Sequence, residues 1–340
     1  MKRERGSRIT LKHVAEHAGV SPSTVSLVLR GSSEIPEITH RKVMDSINHL
    51  GYVYDRVAAN LRSRNSSTIG LIVAEIANPF FSELLNGVHQ SLDKQGYTVI
   101  LGATFDLNTN QDRLISTMLE YRVGGVIMSP ISGSSQESIE RLRKWGIPVV
   151  LVGKLPANAN FDYVSADYSL GAQMAVEHLI RKGHRRISFL GGVTASSSWQ
   201  ARKQGYLNAL NEAGLEYDES LIITSTVTKK GGFKAVQQLL QQPNPPTASF
   251  CYNDLVAFGV MAGLTQAGLK PGRDMAIVGF DNIEESEMFT PTLTTVSASP
   301  HLMGTYAANL LHQRIMGMDD DRPQQIILKP ELVIRESCSS

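Results

Sequence analysis

Apolar residues in the first fifty positions recur every three or four residues. Leu11, Val14, Ala15 and Ala18 form one such face, and Gly19 follows as a stop signal. Ser21-Pro22 opens a second helical stretch. A serine hydroxyl can accept the orphan N–H groups of a first turn, and proline suits the first helical position, where no N–H is needed. The inner face of this stretch is Val25, Val28 and Leu29. Thr39 is placed to cap a third helix, with inner face Val43, Ile47 and Leu50 and Gly51 as its end. From Tyr52 to Thr68 the chain turns polar, with a brief helical patch at 57–61, and reads as a linker.

After Thr68 the texture changes. Short β-rich runs at 69–73, 98–101, 125–128, 148–152, 187–190, 248–251 and 276–280 alternate with amphipathic helical stretches, among them 81–95, closed by Gly96, and 171–182, closed by Gly183. Continuous apolar strands separated by helices imply parallel sheets covered on both faces. Some 270 residues of this pattern exceed one typical sheet, at about 100–150 residues per domain. The expected fold is therefore α/β, with two doubly wound parallel-sheet lobes preceded by a small all-α helix-turn-helix headpiece.

Composition narrows the class. The chain has 340 residues, 42% hydrophobic and 19% charged, which excludes wholesale disorder. No apolar run reaches the roughly 18 residues of a spanning helix. The basic N-terminus leads into an amphipathic segment without the apolar core of a signal peptide, so the expected location is cytoplasmic. Cys251 and Cys338 are far apart and fit no metal spacing; Cys251 lies in an apolar run and reads as a small core residue. Neither a metal nor a cofactor is expected. The net charge of +1 hides an asymmetry: residues 1–64 hold eleven Lys plus Arg against six Asp plus Glu, a surplus of +5, and the remainder carries −4. A small basic end on a mildly acidic body points that end at a polyanion.

The segment from Leu11 to Leu29 is the candidate reader of DNA. Two helices joined by a Gly-containing turn can project the second into a major groove about as wide as a helix. Ser21, Pro22, Ser23, Thr24, Ser26 and Leu27 are the exposed positions at its start, and small hydroxyl residues there can bond phosphates. Enzyme motifs are missing: no Gly-x-Gly-x-x-Gly opens the first helix, and there is no P-loop, Gly-x-Ser-x-Gly elbow or His-Glu-x-x-His helix.

The run from Ile9 to Leu27 resembles the headpiece signature of the LacI/GalR repressor family. The likeness continues through Thr39–Val43, Leu50-Gly51-Tyr52, Arg56-Val57-Ala58, Ile76–Phe81, Glu177–His184, Val278–Asn282 and Thr290–Thr295, nearly the whole chain. Within the family, Ser23–Leu29 and Cys251-Tyr252-Asn253 resemble members linked to maltose metabolism. The resemblance implies a headpiece at 1–54, a hinge helix and linker at 55–67, and a two-lobed effector-binding and dimerisation domain at 68–340, like periplasmic sugar-binding proteins with three crossovers between lobes. It also implies a homodimer on a pseudo-palindromic operator, controlled by a small molecule and unconnected with membranes. Some members tetramerise through a C-terminal leucine-heptad tail; here the chain stops at Ser340, soon after Leu332-Val333-Ile334, and that tail is not expected. The family's base-reading positions fall on Pro22, Ser23 and Leu27. Many members carry Arg at the last, where it pairs with guanine; leucine makes only apolar contact, for example with a thymine methyl. Leu61 matches a hinge leucine that wedges into the minor groove, a trade of unstacking for a bend. With Leu11, Arg30, Thr39, Tyr52, Arg56 and Ala58, these complete the expected DNA-contacting set.

The effector is expected in the cleft between lobes, at the carboxyl ends of strands. Asn78 to Phe81, Ser196 to Arg202, Asn253-Asp254 and Asp281-Asn282 all follow strand ends, as does Lys154. The expected set is a polar fork of Arg202, Asn253 and Asp281 with Ser198, beside Phe80, Phe81 and Trp199. Such a fork suits a polyhydroxylated or heterocyclic ligand. Arg202 and Asp281 are expected to reach the crevice from both lobes, with a plain inter-lobe salt bridge as the alternative. A family position that often holds a stacking aromatic matches Val227. The function that follows is a DNA-binding transcriptional repressor responsive to a sugar or sugar derivative. A corepressor-type regulator responsive to a purine or other metabolite is the alternative, and a stand-alone sugar-binding protein is the rival class.

Overall fold

The computed structural model describes residues 9–29, 32–53, 66–134, 136–156, 160–318 and 322–338. Arg30, Arg56, Ala58, Leu61 and the hinge helix lie outside the described residues. The chain divides into two compact units, residues 1–65 and 66–340.

The first unit holds α1 (Leu11–Ala18), α2 (Pro22–Leu29) and α3 (Glu37–Leu50). Gly19 and Gly51 end α1 and α3 in the left-handed region, at φ 67° and 63°, which glycine reaches without a Cβ clash. Thr39 is not the cap of α3. The helix starts earlier, with Pro36 at the N-cap, whose carbonyl accepts the N–H groups of Thr39 and His40 at 2.9 and 3.0 Å. Thr39 therefore lies in the first turn. Val14, Ala15, Val25, Val28 and Val43 make the small buried core, with Leu11 and Tyr52 packed partly buried against it.

The second unit has two six-stranded sheets. The first contains β1 (Thr68–Val73), β2 (Thr98–Ala103), β3 (Gly125–Met128), β4 (Val149–Val152) and β5 (Asp162–Ala166), joined by α4 (Pro79–Asp93), α5 (Asn108–Glu120) and α6 (Gln136–Lys144). The second sheet follows, with α7 (Tyr168–Arg181), β6 (Ile187–Leu190), α8 (Ser197–Glu212), β7 (Ile222–Ile223), α9 (Lys229–Leu240), β8 (Ala248–Cys251), α10 (Asp254–Gln266), β9 (Ala276–Asp281) and β10 (Thr294–Ser297). The chain then returns to the first lobe with α11 (Pro300–Met316) and β11 (Gln325–Leu328), and ends with β12 (Glu331–Val333) in the second. The chain thus passes between lobes after β5, after β10 and after β11. Strand orders are β2-β1-β3-β4-β5-β11 and β7-β6-β8-β9-β10-β12, all parallel except β12 against β10.

In each sheet the order reverses beside its first strand in the chain, β1 or β6. Connections leave in opposite directions there and open a crevice at the strands' carboxyl ends. The strands unread in the sequence are short, and β7 and β12 lie at sheet edges. Helix starts fall slightly before the sequence reading: Asn78 caps α4 by accepting the Phe80 N–H at 3.0 Å, and Asp167 caps α7 through the Leu170 N–H at 2.9 Å. One buried apolar cluster runs from Ile69 and Leu71 through Tyr168 to Phe189, Phe250 and Phe280, so the lobes share a continuous core. Among the described residues, no helix is long and apolar enough to cross a membrane.

Candidate functional site

At the start of α2 the hydroxyl residues bond one another. Ser21 Oγ accepts the Thr24 N–H at 3.1 Å and lies 2.7 and 2.9 Å from the Ser23 and Thr24 hydroxyls. This caps the helix from within and leaves Pro22 and Ser23 on the surface, with Ser26 and Leu27 half-buried one turn on. The N-terminal backbone N–H groups of a capped helix carry partial positive charge that favours a phosphate. Leu11 and Tyr52 serve the headpiece core, whatever else they touch.

The second unit holds a cavity of about 420 Å³ between the lobes. Most of its walls come from strand ends, with Phe80, Phe81, Tyr168, Ser198 and Arg202 contributed by helices. Ala74 and Glu75 follow β1, Phe105 and Asp106 follow β2, Ser129 follows β3, and Gly153 and Lys154 follow β4. From the second lobe, Val193 follows β6, Thr226 to Thr228 follow β7, Tyr252 and Asn253 follow β8, and Asp281 ends β9.

Arg202, on α8, is the centre of the second-lobe wall. Its side chain is 4% exposed, and its guanidinium carbon lies 4.0, 4.3 and 4.6 Å from the ring centres of Phe280, Tyr168 and Tyr252. A desolvated guanidinium gains from π faces at this range. Nη2 lies 3.6 Å from Asp281 Oδ1, while Nη1 donates to the Ser198 carbonyl at 3.2 Å. Nε is buried and has no hydrogen-bond partner. A buried donor left unmet costs about 1–3 kcal/mol, so a ligand oxygen there recovers that cost. Burial pushes the Asp281 carboxyl up to about 8, against the pull of Arg202 and with buried Asp254 pushing the same way. Asp254 lies behind, held by the hydroxyls of Thr295 and Ser286 and the Ile283 N–H.

Arg202 and Asp281 do not reach the crevice from opposite lobes. Both belong to the second, one on the helix after β6 and the other at the end of β9. The pair is therefore an intra-lobe contact, and the first-lobe wall of the cavity is built by other residues.

Of the expected ligand residues, Phe80, Phe81, Ser198, Arg202, Asn253 and Asp281 line the cavity. Trp199 does not: it stacks on Phe189 at 5.7 Å and donates Nε1 to the Gly191 carbonyl, inside the core. One helical position separates it from Ser198, which turns to the cavity and bonds the Tyr252 hydroxyl at 2.8 Å. The aromatic wall is instead Tyr168 and Tyr252, with Phe80, Phe81 and Phe105 opposite. Lys154 lines the cavity as anticipated, as does Val227. Sequence reasoning missed Glu75, Phe105, Asp106, Tyr168 and Tyr252. The strand-end rule would have found all but Tyr168, because Glu75, Phe105, Asp106 and Tyr252 follow β1, β2 and β8 as directly as Asp281 ends β9.

On the first-lobe wall Lys154 Nζ lies 3.1 Å from Asp106 Oδ1 and 3.3 Å from the Ser132 hydroxyl. Burial raises the Asp106 carboxyl, but Lys154 and the Ser132 N–H outweigh it and hold it below the usual range. Burial raises the Glu75 carboxyl, opposed by the Lys154 charge. Phe105, Asp106, Asp281 and Asn282 have φ between 51° and 111°, the left-handed side, where L side chains are strained.

Residues 66–336 match the model of periplasmic binding proteins and sugar binding domain of LacI family, and residues 10–55 match that of bacterial regulatory proteins, lacI family. The chain is 34% identical over 329 residues to the HTH-type transcriptional repressor PurR of Vibrio atlanticus (strain LGP32), covering 96% of this chain and 98% of that protein. It is 33% identical over 334 residues to the repressor of that name from Haemophilus influenzae (strain PittEE), covering 97% and 99%. Among solved structures, the lac repressor dimer bound to operator and the anti-inducer ONPF superposes with a TM-score of 0.85 at 26% identity, covering 98% of this chain and 100% of that one. A complex of the transcriptional regulator CelR with cellobiose gives 0.75 at 31% identity, covering 97% and 100%. With a helix-turn-helix unit at one end, two parallel-sheet lobes around a polar cleft, and matches that span both, the chain belongs to the LacI family of bacterial regulatory proteins, DNA-binding transcriptional regulators.

Proposed function

We propose that the chain acts as a dimeric repressor whose affinity for a pseudo-palindromic operator is set by a small polyhydroxylated molecule in the inter-lobe cleft. The single observation that carries the effector reading is Arg202: a nearly buried cation, braced by three rings and Asp281, with an unmet Nε–H in a cavity walled by both lobes. A ligand touching both walls favours one inter-lobe arrangement over others, and differential affinity for two arrangements is what shifts an equilibrium. Residues 1–54 read the operator in this proposal, with Ser23 and Leu27 at base edges and Leu61 as the minor-groove wedge. Residues 55–67 link them to the effector domain at 68–340. The relatives' names and the lac repressor dimer on its operator support this division of labour. The aromatic rings on both walls favour a second reading of the ligand, a flat heterocycle that stacks.

The test is operator affinity, on a site selected from a random library, with and without a panel of sugars and purine bases. Removing residues 1–64 abolishes binding while the body still melts cooperatively. Arg202→Ala keeps basal operator affinity but requires one to two decades more effector, from a lost hydrogen bond to charge of about 1.5–3 kcal/mol. A truncated body that still binds the operator sinks the headpiece assignment. A wild-type effector response in Arg202→Ala moves the effector out of the cleft.

A further inference from the structure

Asp254 is the most deeply buried acid among the described residues, yet it does not line the cavity. It follows Asn253 at the start of α10, and no described cation pairs with it. Its partners are donors. Oδ2 accepts the Ile283 N–H at 2.9 Å and the Ser286 hydroxyl at 3.0 Å, and Oδ1 accepts the Thr295 hydroxyl. The Thr295 oxygen in turn accepts the Asn282 N–H at 3.4 Å. Gly279 of β9 makes room for the carboxyl, since a Cβ there would lie 2.2 Å from Asp254 Oδ1. The turn tied down in this way follows directly on Asp281, and Asp281 and Asn282 have φ of 111° and 56°. Backbone of this kind persists only where its surroundings over-determine it. Arg335 completes the hold from the other side, donating to Asn282 Oδ1 at 2.9 Å and to Glu287 Oε1 at 2.6 Å.

We propose that Asp254 is the positioning residue of the cleft: as a carboxylate it pins the Asn282–Ser286 turn, and so sets both the aim of the Asp281 carboxyl toward Arg202 and the field in which that carboxyl sits. Its bearing on recognition rests on the cleft being the effector site. Two carboxyls buried in one lobe do not both ionise cheaply, and the one with more donors keeps the charge. Asp254 has three donors on its two oxygens. Asp281 has the Asn253 amide, and Arg202 Nη2 at 3.6 Å, beyond hydrogen-bond reach. Burial pushes Asp254 up to about 6 and Asp281 up to about 8, and the Asp254 charge adds to the rise at Asp281. The other titratable groups facing the pair are Tyr168 of α7 and Cys251 of β8; burial raises both, so both stay neutral. At neutral pH Asp254 is thus the anion and Asp281 the acid. Environments that push two carboxyls apart give one the charge and the other the proton. Asp281 then meets a ligand with an O–H that donates and an oxygen that accepts, beside a guanidinium that only donates.

The experiment pairs hydrogen exchange with infrared spectroscopy on the ligand-free full chain, isotope-labelled at the aspartate carboxyl. In Asp254→Asn the amides of the Asn282–Ser286 turn should exchange about tenfold faster, while those of β6 keep their wild-type rates. The infrared spectra follow the C=O stretch of un-ionised aspartates from about pH 5 to about pH 10. Wild type should lose that signal in two steps, at about 6 and about 8. Asp281→Asn should lack only the upper step. Asp254→Asn should lack the lower step and move the upper one down by about one pH unit. An Asp254 that merely supports the fold predicts a lower melting temperature with the upper step unmoved, and that outcome overturns the proposal. Turn amides that exchange at the wild-type rate overturn it too. If Asp254→Asn does not fold, wild type and Asp281→Asn decide between them: a single step in wild type, or no step at about 6 in Asp281→Asn, overturns the proposal. A wild-type effector response in Arg202→Ala sinks the cleft as the effector site and leaves these ligand-free readouts standing.

Discussion

The two walls of the cleft are built from the same kind of loop, yet they differ in how much water they have lost. On the second lobe Arg202, Asn253, Asp254 and Asp281 are all 5% exposed or less, and every ring around Arg202 is part of the core. On the first lobe Asp106 and Lys154 retain 35% and 17% of their side-chain exposure, and Phe105 is 65% exposed. The first arrangement is fixed before a ligand arrives, so little ordering cost remains to be met on binding. The second leaves its groups in water and free to adjust.

Breaking the ion pair on each wall is the strongest test of that contrast. Asp281→Ala leaves the buried Arg202 guanidinium without its carboxyl partner, and a buried polar group left unmet costs about 1–3 kcal/mol, more when it is charged. Asp106→Ala leaves Lys154 able to reach solvent, and exposed pairs are worth roughly 0–1 kcal/mol. Chemical denaturation of the two variants should therefore differ by a few kcal/mol. Equal losses would mean that the second wall is wetter than its burial indicates, and the anchor reading would fail.

Much of this was open to sequence reasoning, and each miss has a physical cause. Helix ends at Gly19 and Gly51, and the cap at Ser21, depend on a few adjacent residues, so local chemistry placed them. Strand ends located most of the expected residues that line the cavity, since a parallel sheet exposes its carboxyl edge wherever the chain folds back. Two of the misses needed the third dimension. That Arg202 and Asp281 share a lobe depends on the chain staying in the second sheet from β6 to β10, which no local pattern states. Trp199 and Ser198 are neighbours in sequence, and only the packing of α8 on Phe189 decides which one faces the cavity. Strands β7 and β12 have two and three residues, too few for a period to show.

Acidity gives a finer probe of the dry wall. The Asp281 carboxyl titrates near 8 in the folded chain, against an ordinary value of 3.8. A folded value raised above the unfolded one means that the folded state holds the proton more tightly. The stabilisation is complete below about 4 and is lost as pH rises through about 8. Thermal melting of the ligand-free chain should fall across that window, by at most about 1.4 kcal/mol per pH unit for one group. Asp281→Asn cannot ionise and should flatten the decline. A melting curve that is equally steep in both proteins would assign the slope to other groups. No comparable decline should trace to Asp106, whose carboxyl is held low and whose stabilisation is lost instead as pH falls.

The smallest effect belongs at the most exposed point of the adjustable wall. Phe105 combines a φ of 51° with 65% exposure, so it carries left-handed strain without the burial that would offset it. For a residue with a Cβ this conformation costs roughly 1–2 kcal/mol, and glycine escapes that cost. Glycine also loses more backbone freedom on folding, a penalty of about 0.5–1 kcal/mol. Phe105→Gly should therefore leave stability within about 1 kcal/mol of wild type, on the favourable side if the two terms differ at all. Asp281 has φ 111° and shares the left-handed side, but Asp281→Gly also strands Arg202 and should destabilise strongly. The ring at Phe105 then reports on function alone. Its loss should weaken a sugar ligand severalfold through lost stacking while basal operator affinity stays unchanged. A destabilisation above about 2 kcal/mol for Phe105→Gly would show that this ring is structural and that the first wall is less adjustable than its exposure implies.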